Sequence, residues 1–364
     1  MRNFIQGIVS AVWYNWRKVI QFVFFIIGLI CMIGCDRSVN EVYYDKSYNE
    51  ISTIANDMER PFCIILVDST QSLSQEYITQ FDQKQDYITR KTIFCINDVN
   101  TPEGEWLLKW LCPTSLPLTC VFTSRGDLID LIPGTSIETF LYIDEAVKNS
   151  ATTSFHWPNL FKKDKQRVLP LLNSLLTNKK FLDQGVYLPE DIDNVIDSLP
   201  YPYSYYLKLT GILMEQDSVE ARSVAKQLLA LETPYIMELY KREFITAKTI
   251  LNKDYKIEND AVIRVDQNMI NLRDCKVGES TPVYVDVYND GKELLVISKI
   301  HVSCSCLEQI DAMEQVTVNP GQSTMLKFNF TPDVKGDVFR DIFIASNGVN
   351  MPIFHICVVA TVSD

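Results

Sequence analysis

The run His301-Val302-Ser303-Cys304-Ser305-Cys306 concentrates the side chains best equipped for chemistry. Thiolate and imidazole are soft ligands that suit zinc or copper, and two neighbouring cysteines can also exchange a disulfide. Read as extended strand, the run puts Val302, Cys304 and Cys306 on one face and His301 on the other, because strand side chains alternate with period two. The three could converge on one metal only through a bulge, so no metal site is expected. A Cys304–Cys306 bond would close a very small, strained ring, and strain makes such a bond easily reduced. Cys304 and Cys306 are therefore read as buried or half-buried thiols, with a redox pair as the alternative and metal ligation as a third reading that would need the bulge.

The remaining thiols and imidazoles are less suggestive. Cys63 and Cys95 fall inside apolar runs and read as small hydrophobic core residues. Cys112 and Cys120 read the same way, but they are also the pair most suited to a structural disulfide, which an exported chain permits. His156 and His355 stand alone in apolar or aromatic surroundings and read as structural. The sequence shows no nucleophile, base and acid constellation, no paired catalytic carboxylates and no glycine-rich phosphate loop, in keeping with only 13 glycines in 364 residues. A non-catalytic chain without a cofactor is expected. The net charge of −12 opposes nucleic acid as a partner, since each neutralised phosphate needs a nearby Lys or Arg.

The elements that would carry Cys304 and Cys306 are strands. Val283, Val285 and Val287 share one face and Tyr284, Asp286 and Tyr288 the other, before the turn Asn289-Asp290-Gly291. Leu294 to Ser303 reads as the next strand, and Asn319-Pro320-Gly321 closes a short one at 315–318. Leu326, Phe328 and Phe330 alternate with Met325, Lys327 and Asn329, and Val338, Ile342 and Ile344 share a face. With Met269 to Leu272 and Ile353 to Val362, about seven short strands without helical interruption predict an immunoglobulin-like sandwich. The stretch resembles the bacterial Ig-like domain of unknown function 1573. The resemblance rests on Asn289 and Gly291, Leu295 and Ile297, Ser303, Cys304 and Cys306, Pro320 and Gly321, Gly336, Ser346 and Asn347. Ser305 stands where that family usually has glycine. The resemblance implies an envelope-exported domain with no established activity.

Upstream, Phe62 to Val67 and Thr92 to Asn97 are continuous apolar runs suited to strands buried on both faces. With helices at Leu73 to Phe81, Pro102 to Leu111 and about Ile137 to Lys148, and a hairpin at Leu118 to Ile132, the order is β-α-β-α-β-β-α. That order, with Ser115-Leu116-Pro117 ahead of Leu118 to Thr123, resembles the thioredoxin fold over about Ser52 to Ser150. The resemblance implies that Pro117 is the cis-proline facing the active site and that Gly134 follows the last strand. Where a thioredoxin carries Cys-x-x-Cys, this chain has Asp68-Ser69-Thr70-Gln71-Ser72, without sulfur. Exchange needs an activated thiolate with a resolving partner, so the resemblance implies a fold kept without its chemistry.

Phe155 to Asp260 carries helical periodicity. Asp217-Ser218-Val219-Glu220 reads as a capping box opening a stripe of Ala221, Val224, Ala225, Leu228 and Leu229. These helices resemble tetratricopeptide-like (TPR-like) hairpins without the repeat's period. Ser198 to Tyr206 is rich in proline and tyrosine and reads as a helix start whose rings pack on neighbours, or as an aromatic recognition surface. At the N-terminus, Arg2, Arg17 and Lys18 precede an apolar run from Val19 to Gly34, a signal-like arrangement. Met32-Ile33-Gly34-Cys35 resembles a bacterial lipobox, implying lipidation, as with palmitate, at Cys35. Two or three acyl chains at about 0.8 kcal/mol per buried CH₂ anchor stably; an uncleaved helix is the alternative.

The expected architecture is thus multidomain α/β plus all-β. Residues 1–35 are a lipoprotein signal or anchor, 36–51 a tether, 52–150 a thioredoxin-like domain without CxxC, 151–260 a helical region and 261–364 an Ig-like sandwich. Membrane attachment, a periplasmic or other envelope location outside the cytoplasm and an envelope protein partner are the corresponding functional expectations, with thiol-disulfide exchange at Cys304 and Cys306 as the alternative.

Overall fold

The computed structural model describes residues 42–88, 91–134, 137–154, 156–157, 161, 163–310 and 314–363. The apolar run 19–34 and Cys35, on which the expected anchor rests, lie outside the described residues. Among the described residues no helix is long and apolar enough to cross a membrane.

The first sheet comprises β1 (Val42–Tyr44), β2 (Phe62–Val67), β3 (Ile93–Asp98), β4 (Leu118–Phe122) and β5 (Leu128–Pro133), in the order β1-β3-β2-β4-β5. Strands β1, β3 and β2 run parallel, β4 is antiparallel to β2, and β5 is antiparallel to β4. Every residue of β2 is buried, which explains its unbroken apolar sequence: with both faces covered, no position is left for a polar side chain. Cys63, Ile65 and Val67 meet α2 (Ser72–Ile88) and α4 (Ile137–Asn149) through Tyr77, Phe81, Phe140 and Ile143. Phe62, Ile64 and Leu66 face α1 (Tyr48–Asp57) and α3 (Pro102–Leu111) through Ile51, Ala55, Leu107 and Trp110.

Residues 42–51, expected as a tether running into a first helix, supply the first turn of α1 and, beyond that expectation, the edge strand β1. Ser47 caps that helix in a reciprocal box with Glu50, and the Tyr48 hydroxyl donates to the Gly126 carbonyl at 2.6 Å. The Ser-x-x-Glu box starts the helix locally, and the pairing of β1 with β3 and the buried tyrosine hold the segment to the sheet.

The helices α5 (Lys165–Asp183), α6 (Pro189–Ser198), α7 (Pro202–Met214), α8 (Ser218–Leu229), α9 (Pro234–Leu239) and α10 (Lys241–Leu251) form a layer against α3. The core under α1 and α3 continues into this layer, taking in Val168, Leu172, Leu175, Val195, Leu207, Val224, Leu228 and Phe244. Residues 52–150 and 151–260, expected as separate domains, therefore share one core. Polar ties cross the same seam: Trp110 Nε1 donates to Leu172 O at 3.2 Å, and the Tyr201 hydroxyl to Trp110 O at 2.9 Å. Tyr201 and Tyr203 are buried, so this part of the aromatic stretch serves packing. Asp217 caps α8 by accepting from Val219 N and Glu220 N.

The C-terminal region has two facing sheets. One contains β6 (Ile263–Val265), β8 (Thr281–Asn289), β10 (Leu307–Ile310) and β12 (Ser323–Phe330). The other contains β7 (Met269–Lys276), β9 (Leu295–Val302), β11 (Val316–Val318), β13 (Gly336–Ser346) and β14 (Ile353–Ser363). Val283, Val285 and Val287 are buried between them with Leu326, Phe328, Ile342, Ile344 and Ile356. The strand expected through Cys306 stops at Val302. Strand β9 belongs to the five-stranded sheet and β10 to the four-stranded one. The chain must cross the sandwich, about 10 Å thick, and it does so by turning at 303–306.

Candidate functional site

Cys304 and Cys306 are joined by a disulfide with Cα atoms 5.3 Å apart. The strand alternation applied to them in the sequence does not hold, because both lie in the crossover turn. A bend, unlike an extended Cys-Ser-Cys, can swing both Cβ atoms toward one point. Cys306 is 8% exposed and enters the sandwich core, while Cys304 is half-buried against its edge. The turn is tied to both sheets: Thr331 N donates to Cys306 O at 2.7 Å, and Asp341 N donates to Ser303 Oγ at 2.8 Å. His301 takes no part. It sits outward on β9, 6.4 Å from the Phe343 ring. His355 stacks on the other side of Phe343 at 4.7 Å and meets Asp341 Oδ1 through Nε2 at 2.7 Å. Among the described residues no group of three or more His, Cys, Asp or Glu side chains could hold a metal ion.

Arg340 completes this corner and was not singled out in the sequence. Its Nε donates to Cys306 Sγ at 2.9 Å and its Nη1 to Phe339 O at 2.8 Å. A signal was present: Arg340 shares the inward parity of Val338 and Ile342, an unusual place for a guanidinium. What it meets there, however, is 34 residues away in sequence.

The second sequence-derived position is the turn 68–71. The pairing of Leu66 with Leu118 sets it beside the Leu116–Pro117 peptide bond, which is cis. The turn is bound to itself. Asp68 Oδ1 accepts from Thr70 N at 3.0 Å and Thr70 Oγ1 at 2.6 Å, and its Oδ2 accepts from Gln71 Nε2 at 2.7 Å. Asp98 Oδ2 accepts from Ser69 N at 3.2 Å. Burial works against its charge, yet the bonds from Ser69 and Asn100 hold the Asp98 carboxyl below the usual range.

The nearby thiols lie in the core. Cys63, Cys95, Cys112 and Cys120 are free and buried, and no bond joins Cys112 to Cys120. The Cys112 sulfur meets the Tyr240 hydroxyl at 3.0 Å instead. Burial pushes the Cys95 and Cys112 thiols up to about 12 from an ordinary 9.0, and it raises Cys63 and Cys120 as well. With folded values above the unfolded ones, this stability is complete below pH 9. It is lost as the pH climbs from about 9 toward about 12, where only the unfolded chain sheds these protons. The unfolding free energy from urea titrations should therefore fall above about pH 9, by up to about 1.4 kcal/mol per pH unit per thiol, carrying the midpoint down with it, and Cys112→Ala should flatten the slope. A midpoint unchanged up to about pH 11 would contradict this account.

An open groove of about 400 Å³ runs between α3, α5, α7 and α10, lined in part by Trp106, Lys109, Lys179, Tyr206 and Glu243. Its lysines are already paired. Lys109 Nζ lies 2.9 Å from Glu105 and 2.8 Å from Glu243, and Lys179 pairs with Asp183 at 2.6 Å.

The sandwich defines a class: residues 261–360 match the family model of the HYDIN/CFA65/VesB-like Ig-like domain, and this region is an Ig-like domain. No curated protein matches the chain. Among solved structures, a Porphyromonas gingivalis W83 protein of unknown function is 21% identical, with 30% of this chain and 50% of that chain covered and a TM-score of 0.26. The chain thus spans about half the length of that protein. Spinach chloroplast thioredoxin F, long form, is 15% identical over 30% of this chain and 88% of that chain, with a TM-score of 0.26. The ASH/PapD-like domain 7 of human CEP192 is 8% identical over 30% and 89%, with a TM-score of 0.25.

Proposed function

We propose that this chain is a non-catalytic, membrane-anchored lipoprotein of the bacterial cell envelope that acts in protein interaction or envelope organisation. In this reading Cys35 carries the lipid, or the N-terminal helix is retained. A thioredoxin-like sheet and a TPR-like helical layer form one body, and the Ig-like domain presents binding surface. The observation that carries the reading is the turn 68–71 beside cis Pro117. Its backbone and side-chain polar groups are spent on one another and on Asp98, and it offers no sulfur. The strand order β1-β3-β2-β4-β5 supports the thioredoxin-like assignment. Surface for a partner is available on the outer face of the five-stranded sheet, where Phe339 is 61% exposed opposite Val359.

The test is a photo-crosslinking side chain at Phe339 in cells. The expected result is one discrete protein adduct, absent when the same label stands at exposed Val219 on α8, together with no turnover in insulin-disulfide reduction. Crosslinking no stronger than at Val219, or insulin turnover abolished by Cys304→Ser, would overturn the reading. A second reading, thiol-disulfide exchange at Cys304 and Cys306, is favoured by one specific observation: the guanidinium of Arg340 on the Cys306 sulfur.

A further inference from the structure

The disulfide is asymmetric in its surroundings. Cys304 is half-buried between exposed Ser303 and Ser305, whereas Cys306 is inside the core. An incoming thiol therefore reaches Cys304 Sγ first, and Cys306 is the sulfur that departs. The departing sulfur is the one Arg340 touches. In the bonded state that sulfur is neutral and a weak acceptor. As a thiolate it accepts a charge-assisted hydrogen bond, roughly twice as strong as a neutral one. The contact therefore favours the cleaved state over the bonded one and stabilises the charge that develops on the departing sulfur. The guanidinium is held for this role by its bond to Phe339 O. Other charges at this corner compete weakly: Asp333 is 4.0 Å from Nη2 and largely in solvent, and Asp341 is engaged by His355.

We infer that the Cys304–Cys306 bond is an electron acceptor for a protein dithiol, with Cys304 Sγ attacked and Arg340 holding the departing Cys306 thiolate. This rests on the second reading above, thiol-disulfide exchange at Cys304 and Cys306, and not on the interaction reading. A partner thiolate attacks Cys304 Sγ, forming a mixed disulfide and breaking the Cys304–Cys306 bond, and the electron pair of that bond leaves on Cys306. The partner's second thiolate then attacks its own sulfur in the mixed disulfide and expels Cys304, which takes a proton from water. Two electrons pass to this chain, and the partner ends as a disulfide. A dithiol is required for net transfer. The Cys306 thiolate stays two residues from the mixed disulfide, so it would eject a monothiol and restore the starting bond. The site lies at the end of β9 opposite Leu295, away from the loop where Lys241 Nζ donates to Asn350 O, so the helical layer does not cover it.

The test uses the full chain, with glutathione as monothiol probe and dithiothreitol as dithiol probe, quenched with iodoacetamide and mapped by peptide mass spectrometry. Because the bond re-forms against a monothiol, only the small mixed-disulfide fraction captured by the quench is expected to carry glutathione, on Cys304 with Cys306 alkylated. Dithiothreitol should reduce the bond in the folded chain. Arg340→Met should slow that reduction about tenfold, and Arg340→Lys should recover most of the rate. Glutathione on Cys306, or an unchanged rate in Arg340→Met, would overturn the inference while exchange itself stands. Resistance to dithiothreitol until the chain unfolds would overturn both. The mapping needs no substituted chain, so a variant that folds poorly does not blunt the test.

Discussion

Asp130→Ala is expected to destabilise the sheet-and-helix body by about 3–5 kcal/mol, because it leaves a buried ammonium without its counter-charge. Asp130 lies on β5 and is 0% exposed. Its Oδ2 accepts from Thr153 N at 2.9 Å and Thr153 Oγ1 at 2.5 Å, and its Oδ1 pairs with Lys165, the first residue of α5. One carboxylate thus fixes the segment leaving α4 and the start of the helical layer to the same strand. Asp130→Asn keeps the shape and part of the bonding and should cost less. Adding Lys165→Met to Asp130→Ala should recover part of the loss, since removing both buried charges is far milder than removing one. Urea unfolding followed by far-ultraviolet circular dichroism reads all three. A loss below about 1 kcal/mol for Asp130→Ala would show that the pair is hydrated, not buried.

Asn289→Ala should do comparable damage to the sandwich. Its side chain donates to Glu293 O at 2.8 Å and Val318 O at 2.9 Å, and accepts from Gly291 N at 3.0 Å and Val262 N at 3.4 Å. These backbone groups belong to the approach to β6, the β8–β9 turn and the end of β11, so one amide closes a whole end of the domain. Each buried partner left unmet costs about 1–3 kcal/mol, and relaxation recovers some of it, giving an expected net of roughly 3–5 kcal/mol. Asn289→Asp preserves shape and both acceptor contacts but cannot donate, and it should also be destabilising. Thermal unfolding of the full chain, followed by the sandwich's own β signal, checks this. A midpoint unchanged in Asn289→Ala would mean that water replaces all four contacts.

The same end explains much of the family-like pattern in the sequence. A Cβ on Gly291 would lie 2.0 Å from the Asp260 carbonyl oxygen, so only glycine fits. Asn347 accepts from Val296 N at 2.7 Å and donates to Leu294 O at 3.0 Å, while Ser346 Oγ accepts from Gly348 N at 3.1 Å. Asn289, Gly291, Ser346 and Asn347 are therefore fasteners. The residues of the pattern with chemistry to offer, Cys304 and Cys306, stand at the other end of β9.

Where burial is periodic along the chain, the residues alone determined the outcome. The unbroken apolar run of β2, the alternation Val283, Val285, Val287 in β8 and the Asp217 cap of α8 are local patterns with local causes. For the same reason the absence of sulfur from 68–72 is a fact of sequence. Contacts between elements far apart in the chain were settled by the tertiary structure. The helical layer merged with the sheet because Trp110, Tyr201 and Phe244 bury together, which no local periodicity records. Cys304 and Cys306 left the strand because β9 and β10 joined different sheets, and strand membership depends on partners, not on alternation. Arg340 reached the Cys306 sulfur only once β13 was laid beside β9.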